Sequence, residues 1–364
     1  MNAKSIIEVY KKSVIQIATP YSTGTGFYLS EFDLIVTNEH VIRDNKEVII
    51  DGEGLDKQLV QICFIDQKYD LAFLTPPEKH EMASVPLASS ELELAEGDEI
   101  IAVGHPFGLK YTATKGIISN SEHNDMGVMY VQHDAALNPG NSGGPLISSR
   151  GEIIGVNTFV VRNGNNIGFS LPVHYLLSAL TEFQAGGRIP AVRCNSCLNI
   201  VFESTVEGRY CHYCGSKIEM ISKIEAYEPT GICRTIEGML DEMGYDIPIS
   251  RMGPSNWTIR RGSAIINIAY HEKSGLITGD AYLGKLPEEN ISAIYSYMLH
   301  QNYELGGLTF SVKGQDIILS LLIFDQYLNQ DTSKKLFDHL SEAADHHDNI
   351  LVEEFGASWN EPSF

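Results

Sequence analysis

Between residues 13 and 172 the sequence breaks into twelve short apolar runs, four to ten residues long, separated by glycine, asparagine or aspartate. Ser13–Thr19, Gly24–Ser30, Lys46–Asp51, Leu71–Leu74, Glu99–Gly104 and Glu152–Asn157 are examples. Runs of this length bounded by turn residues read as strands, and so many in succession predict an antiparallel β-barrel or sandwich. A short amphipathic helix is expected over residues 5–13. An apolar helix over Val173–Phe183 ends the pattern, and the glycine-containing stretch 184–190 reads as a linker.

Composition narrows the functions that fit. The chain has 364 residues with 26 Lys and Arg against 47 Asp and Glu, a net charge of −21. Such a surface repels phosphate polyanions, so nucleic acid and anionic membranes are excluded as expected partners. The start has no apolar core of signal-peptide length, and no stretch reaches the length of a membrane helix. A cytoplasmic location is expected. Four of the six cysteines are clustered, while Cys63 and Cys233 stand alone, which is not a disulfide framework.

Three segments of the β region carry chemistry together. His40 lies in Thr37-Asn38-Glu39-His40-Val41 at the end of an apolar strand. Asp70 opens Asp70-Leu71-Ala72-Phe73-Leu74, and Ser142 sits in Asn138-Pro139-Gly140-Asn141-Ser142-Gly143-Gly144-Pro145. A serine hydroxyl is a weak nucleophile until a base takes its proton. His40 is the candidate base, and Asp70 the acceptor that fixes its tautomer and steadies the imidazolium. The glycines let the backbone turn sharply, so the N–H groups of Gly140 and Ser142 are the candidate oxyanion donors.

With these motifs, residues 5–183 resemble the trypsin-like serine peptidases, specifically the HtrA/Deg branch. Gly24-Thr25-Gly26-Phe27, His105-Pro106-Phe107-Gly108-Leu109, Gly116–Ser119, Gly155–Thr158 and Asn166–Pro172 extend the likeness beyond the three motifs. The resemblance implies a double β-barrel with the catalytic site in the cleft between barrels. It also implies a primary specificity pocket lined by Leu137, Phe159 and Val160, reshaped by the loop Val161–Asn166. No acid is placed there for Arg or Lys, so an aliphatic P1 residue is expected. The PDZ domain that commonly follows such a protease is not recognised. Members of this branch often form trimers through N-terminal aromatics. Tyr10 and Tyr21 are those available here, and the oligomeric state stays open.

Cys194-x-x-Cys197 and Cys211-x-x-Cys214 are two knuckles with 13 residues between them, close to the zinc-ribbon pattern. Four thiolates complete a tetrahedral structural zinc site and leave no open position for catalysis. His212 lies inside the second knuckle as a bystander. The module is too small for its own core, so zinc would supply folding energy.

From residue 231 the texture becomes α+β. Helices are expected at 232–243, 287–301 and 332–355, and strands at 257–261, 264–271, 275–283, 308–312 and 317–324. This order resembles the type III secretion chaperone-like fold, including YbjN-like proteins, which implies a domain that binds a substrate or partner polypeptide. His339, Asp345, His346, His347 and Asp348 share one helix, and a solvated polar face is expected there in preference to a metal site.

The expected architecture is multidomain: an all-β trypsin-like double β-barrel (1–186), a small four-cysteine zinc ribbon (191–218) and a C-terminal α+β chaperone-like domain (230–358). The expected function is a cytoplasmic serine endopeptidase acting on protein or peptide substrates, with the appended domains recruiting or gating substrate. A protein-binding chaperone or adaptor with a silent protease fold is the alternative, and a serine esterase is a weaker third.

Overall fold

The computed structural model describes residues 2–105, 111–160, 167–206, 208–262, 264–289 and 291–359. The chain divides between Tyr227 and Glu228 into two compact units. No helix among the described residues is long and apolar enough to cross a membrane.

The first unit opens with helix α1 (Ala3–Tyr10), capped by the Asn2 side chain, which accepts the N–H of Ser5. Six strands follow: β1 (Val14–Ala18), β2 (Thr23–Leu29), β3 (Leu34–Thr37), β4 (Glu47–Gly52), β5 (Leu55–Asp66) and β6 (Leu71–Leu74). They run in the order β5-β4-β1-β2-β3-β6, and the pairing of β5 with β6 closes them into a barrel. A one-turn helix, α2 (Glu39–Ile42), interrupts the run after β3, so His40 stands on a helical turn and not on a strand.

The second barrel comprises β7 (Glu99–Gly104), β8 (Thr112–Asp125), β9 (Val128–His133), β10 (Pro145–Ser148), β11 (Ile153–Val160) and β12 (Gly168–Pro172). It closes in the order β10-β11-β12-β9-β8-β7. Helix α3 (Val173–Ala185) ends the double barrel. One apolar cluster runs from Phe27, Val36 and Phe73 of the first barrel through Val103, Ile147 and Val156 of the second. Tyr10 of α1 and Phe183 of α3 belong to it. Burying side chains of this size stabilises by about 1.5–3 kcal/mol each before entropy is counted.

The cysteine segment does not stand apart. Strands β13 (Ala191–Arg193) and β14 (Ile200–Phe202) form a hairpin, and β13 pairs in parallel with β5, Ala191 opposite Phe64 and Val192 opposite Ile65. Cys194, Val201, Cys211, Ile218 and Met220 share a cluster with Ile15, Ile35 and Ile62 of the first barrel. Too few residues for a core, they borrow the barrel's.

The second unit holds α4 (Gly231–Glu242), α5 (Ile247–Ser250), β15 (Arg251–Gly253), β16 (Asn256–Arg261), β17 (Ala264–His271), β18 (Leu276–Lys285), α6 (Ile291–Glu304), β19 (Leu308–Lys313), β20 (Asp316–Phe324) and α7 (Gln330–Glu353). The strands form one antiparallel sheet in the order β15-β16-β17-β18-β20-β19. The expected element order is present, with α5 and β15 added. α6 starts four residues later than Pro287, and before it Leu286 donates its N–H to Gln315. Trp257 and Phe337 are core residues here.

The histidine-bearing face of α7 departs from the expected solvated stripe. His347 and Asp348 are buried. His347 Nδ1 lies 2.7 Å from the Tyr297 hydroxyl, and its ring meets Phe310 edge-on. Tyr295 and Tyr297 part as their two-residue spacing requires: Tyr295 is exposed, and Tyr297 packs on Phe355.

Candidate active site and cysteine cluster

His40 and Asp70 come together as the sequence predicts. His40 Nδ1 lies 2.7 Å from Asp70 Oδ2, and the His40 backbone N–H donates to Asp70 Oδ1 at 2.9 Å. Asp70 holds the left-handed backbone conformation at φ 51°, which Asp tolerates better than bulkier residues. Asn38 steadies that turn by donating its side-chain amide to the Asp70 carbonyl. The carboxylate therefore grips both the ring and the backbone of the histidine.

Ser142 lies in the turn before β10. Its hydroxyl donates to the carbonyl of Thr158 on β11, 3.1 Å away. Among the described residues, Ser142 and His40 share no hydrogen bond. Catalytic hydrogen bonds are often loose until substrate binds. The turn is a close fit. A Cβ on Gly143 would stand 2.2 Å from the Thr25 carbonyl oxygen and 2.3 Å from Thr37 Oγ1, and φ is +83°. Among the described residues, neither the Gly140 nor the Ser142 backbone N–H has an acceptor, as oxyanion donors require.

Thr25 organises this turn, a role the sequence motifs did not indicate. Its N–H donates to the Ser142 carbonyl at 2.8 Å, and its hydroxyl donates to the Gly140 carbonyl at 2.6 Å. The same hydroxyl accepts the His105 N–H, and the Thr25 carbonyl accepts the Thr37 hydroxyl. Four bonds on one residue tie β2 and β3 of the first barrel to the serine turn of the second. The signal was the glycine on each side: a Cβ on Gly24 would meet Val41 at 2.5 Å and the Ser142 carbonyl at 3.1 Å.

Of the expected pocket residues, Leu137 is half-buried against the core of the second barrel. Its Cδ1 comes within 3.0 Å of the position a Cβ would take on Gly168. Phe159 stacks on Phe169, with ring centroids 4.8 Å apart, and meets Tyr130 edge-on. Val160 lies opposite Gly168 in the β11–β12 pairing. The Val160 side chain, Val161–Asn166 and Pro106–Leu109 of the glycine-rich motif fall outside the described residues. His133 is a buried member of this region that sequence reasoning missed. Its Nε2 lies 3.0 Å from Ser170 Oγ, and Ser170 donates to Asn157 Oδ1. Burial lowers its pKa to about 4.

Residues 24–156 match the family described as trypsin-like peptidase domain. That stretch contains the assembled His40–Asp70 pair and Ser142. The segment is similar to serine proteases of HTRA and DegP-like name. A putative serine protease, HhoA, of Synechocystis is 38% identical over 178 residues, which cover 46% of this chain and 44% of that protein. A probable periplasmic serine endoprotease of DegP-like type from Chlamydia trachomatis is 38% identical over 173 residues, 46% of this chain and 34% of the relative. A solved serine endoprotease from Yersinia pestis is 26% identical, covering 52% of this chain and 69% of its own, with a TM-score of 0.46. The chain thus spans less than half the length of the two curated relatives.

The four clustered cysteines offer a second site. The sulfurs of Cys194, Cys197, Cys211 and Cys214 all lie within 4.8 Å of one another. Cys194 and Cys214 are 3.6 Å apart, and Cys197 and Cys211 3.7 Å. A tetrahedral zinc with bonds near 2.3 Å would set its sulfurs about 3.8 Å apart, so the donor set fits that ion. Hydrogen bonding with Ser216 lowers the Cys214 thiol to about 6, and the Asn199 amide lowers that of Cys197. Both shifts favour the thiolate that a metal needs. His212 is exposed, beside Thr205 and Tyr213, and takes no part in the sulfur group. Tyr10, a candidate oligomer contact, is buried and donates to the Gly151 carbonyl, whereas Tyr21 is exposed and meets Tyr227 edge-on.

Proposed function

We propose that this chain is a serine endopeptidase that cleaves protein or peptide substrates through an acyl-enzyme. The observation that carries the reading is the two-point grip of Asp70 on His40 beside a serine turn with two unengaged N–H groups. Held by Asp70 at Nδ1, the His40 ring presents Nε2 as a base. The Ser142 hydroxyl leaves the Thr158 carbonyl and gives its proton to His40 as Oγ bonds to the scissile carbonyl carbon. The oxygen that becomes negative is received by Gly140 and Ser142 N–H. The tetrahedral adduct collapses, the peptide C–N bond breaks, and His40 returns the proton to the leaving amine. Water then repeats the sequence and releases the acid.

Leu137, Phe159 and Val160 support an aliphatic P1 preference, since none carries a charge. Zinc would be held by Cys194, Cys197, Cys211 and Cys214, and its contribution is structural: it cross-links two turns that border the first barrel. Four reduced, clustered thiols fit the cytoplasm better than an oxidising compartment, with all six cysteines free. The second unit, 228–359, is assigned a chaperone-like role in recruiting or gating substrate, on the basis of its helix and strand order.

Labelling with a fluorophosphonate probe tests the reading. Wild-type chain should be labelled and Ser142→Ala should not. A second reading, a chaperone or adaptor with a latent protease fold, draws on the Ser142–Thr158 bond. It is favoured if the wild-type chain stays unlabelled.

A further inference from the structure

Arg193 lies outside the peptidase motif, immediately before the first cysteine of the cluster, yet it is bonded to the turn that delivers the catalytic aspartate. Its side chain is 4% exposed and that of Asp66 is 0% exposed. Arg193 Nε donates to Asp66 Oδ2. Asp66 Oδ1 accepts the backbone N–H groups of Lys68 and Tyr69, each at 3.1 Å. These two bonds fold the reversal from β5 into the residues before β6. The next residue is Asp70, at φ 51°, gripping His40. The Arg193 guanidinium also lies 5.5 Å from the Tyr69 ring centroid, and Tyr69 packs on Tyr175 of α3.

Both terminal nitrogens of Arg193 are engaged as well, Nη2 with Glu182 Oε1. Nη1 donates to the Leu198 carbonyl in the first cysteine knuckle at 2.7 Å and to Glu182 of α3 at 3.1 Å. One fork therefore ties the cysteine knuckle, α3 and the Asp66–Asp70 turn together. We propose that Arg193 is a positioning residue for the Asp70–His40 pair, fixing the Asp66 carboxylate that shapes the turn before Asp70. This rests on the serine-peptidase reading of the site, and it gives the cysteine hairpin a part in catalysis without contact with substrate.

The physical argument is one of tolerance. Catalytic groups must be held within about 0.5 Å of their working geometry, and a displacement near 1 Å costs about 100-fold in rate. Asp66 is buried, and burial pushes its carboxyl pKa up against the pull of Arg193. Without Arg193 that carboxyl would take up a proton or seek water. Either change weakens the acceptor on which the turn depends. Lysine keeps the charge but not the planar fork, so it cannot serve Asp66, Leu198 and Glu182 at once.

The test uses the full zinc-loaded chain. Arg193→Met, Arg193→Lys and the double variant Arg193→Met/Asp66→Asn are compared with Glu182→Gln, which removes only the charge of the partner on α3. The double variant guards against misfolding, because it leaves no unpaired buried charge. The readouts are kcat and KM on a peptide with an aliphatic P1 residue, and the low-field NMR resonance of the His40 Nδ1 proton. A kcat loss of about 10-fold or more at nearly constant KM is expected for Arg193→Met and the double variant, with the resonance shifted or broadened. Arg193→Lys should fall between them and wild type, and Glu182→Gln should stay within about 2-fold of wild type. A folded double variant with wild-type kcat and an unmoved resonance overturns the proposal, as does Arg193→Lys indistinguishable from wild type by both readouts. A wild-type chain without turnover or labelling would sink the peptidase reading. The resonance would still report whether Arg193 positions the pair.

Discussion

The Ser142 hydroxyl points to the Thr158 carbonyl, 3.1 Å away, while His40 is already locked to Asp70 at 2.7 Å. The base is held by its acceptor, and the Ser142 hydroxyl must leave the Thr158 carbonyl to give its proton to His40. Asp70→Asn should keep the fold, since an amide oxygen can still accept the His40 N–H. It should lower kcat by about 10,000-fold by favouring the wrong imidazole tautomer. Steady-state kinetics of the purified variant, with circular dichroism to confirm folding, measure this.

Thr25→Val keeps the shape of the side chain and removes the hydroxyl that serves Gly140 and His105. The Gly140 carbonyl and the His105 N–H would be left buried without that partner. The expected cost is about 1–3 kcal/mol in urea unfolding. A drop in kcat of about 10-fold or more should accompany it, because the Gly140 N–H loses its support. Unchanged kcat would show that the serine turn holds itself.

Gly143→Ala places a methyl group into the Thr25 carbonyl and Thr37 hydroxyl at a φ that L residues rarely adopt. Backbone cannot yield there without breaking the Thr37–Thr25 bond. Destabilisation of at least about 3 kcal/mol is expected, together with loss of fluorophosphonate labelling. A stable, labelled Gly143→Ala chain would contradict the placement of this turn.

Acid should weaken the first unit before the carboxylates titrate. Burial lowers the pKa of both His105 and His133 from 6.5 to about 4. Between those values the unfolded chain binds protons that the folded chain refuses, so stability falls as pH falls through that window. By pH 5 each ring should cost about 2 kcal/mol relative to pH 7. Urea midpoints of wild type and His133→Gln at the two pH values check this, and the variant should lose less on acidification.

Zinc analysis of the purified chain should find one ion, and Cys214→Ser or a strong chelator should remove it. Because Cys194, Cys211, Ile218 and Met220 share a core with Ile15 and Ile62, metal loss should lower the first unit's unfolding midpoint. A midpoint unmoved by chelation would mean that packing alone holds the hairpin.

Much of this was readable from the chain. Alternating apolar runs and turn residues predict strands because side chains in a strand alternate faces and turns need particular backbone angles. The order His40, Asp70, Ser142 and the paired Cys-x-x-Cys knuckles were legible as local chemistry for the same reason. Each is a short motif whose residue types limit what it can do. The start of α6 at Ile291 was not legible from the proline at 287. Nor was the burial of His347, which depends on Tyr297 and Phe310 arriving from elsewhere in the second unit.

The sequence by itself determined which side chains could act as nucleophile, base, acceptor and metal ligand. Those are properties of functional groups and of spacing within a few residues. Only the tertiary structure decided that Thr25 would hold the serine turn and that Arg193, 127 residues from Asp66, would hold the aspartate turn. Thr25 lies in the Gly24–Phe27 motif, which by itself gives the threonine no such role, and Arg193 lies in no motif. Their roles come from buried hydrogen bonds between strands distant in sequence, and the cost of leaving such groups unpaired, not a local pattern, fixes them in place.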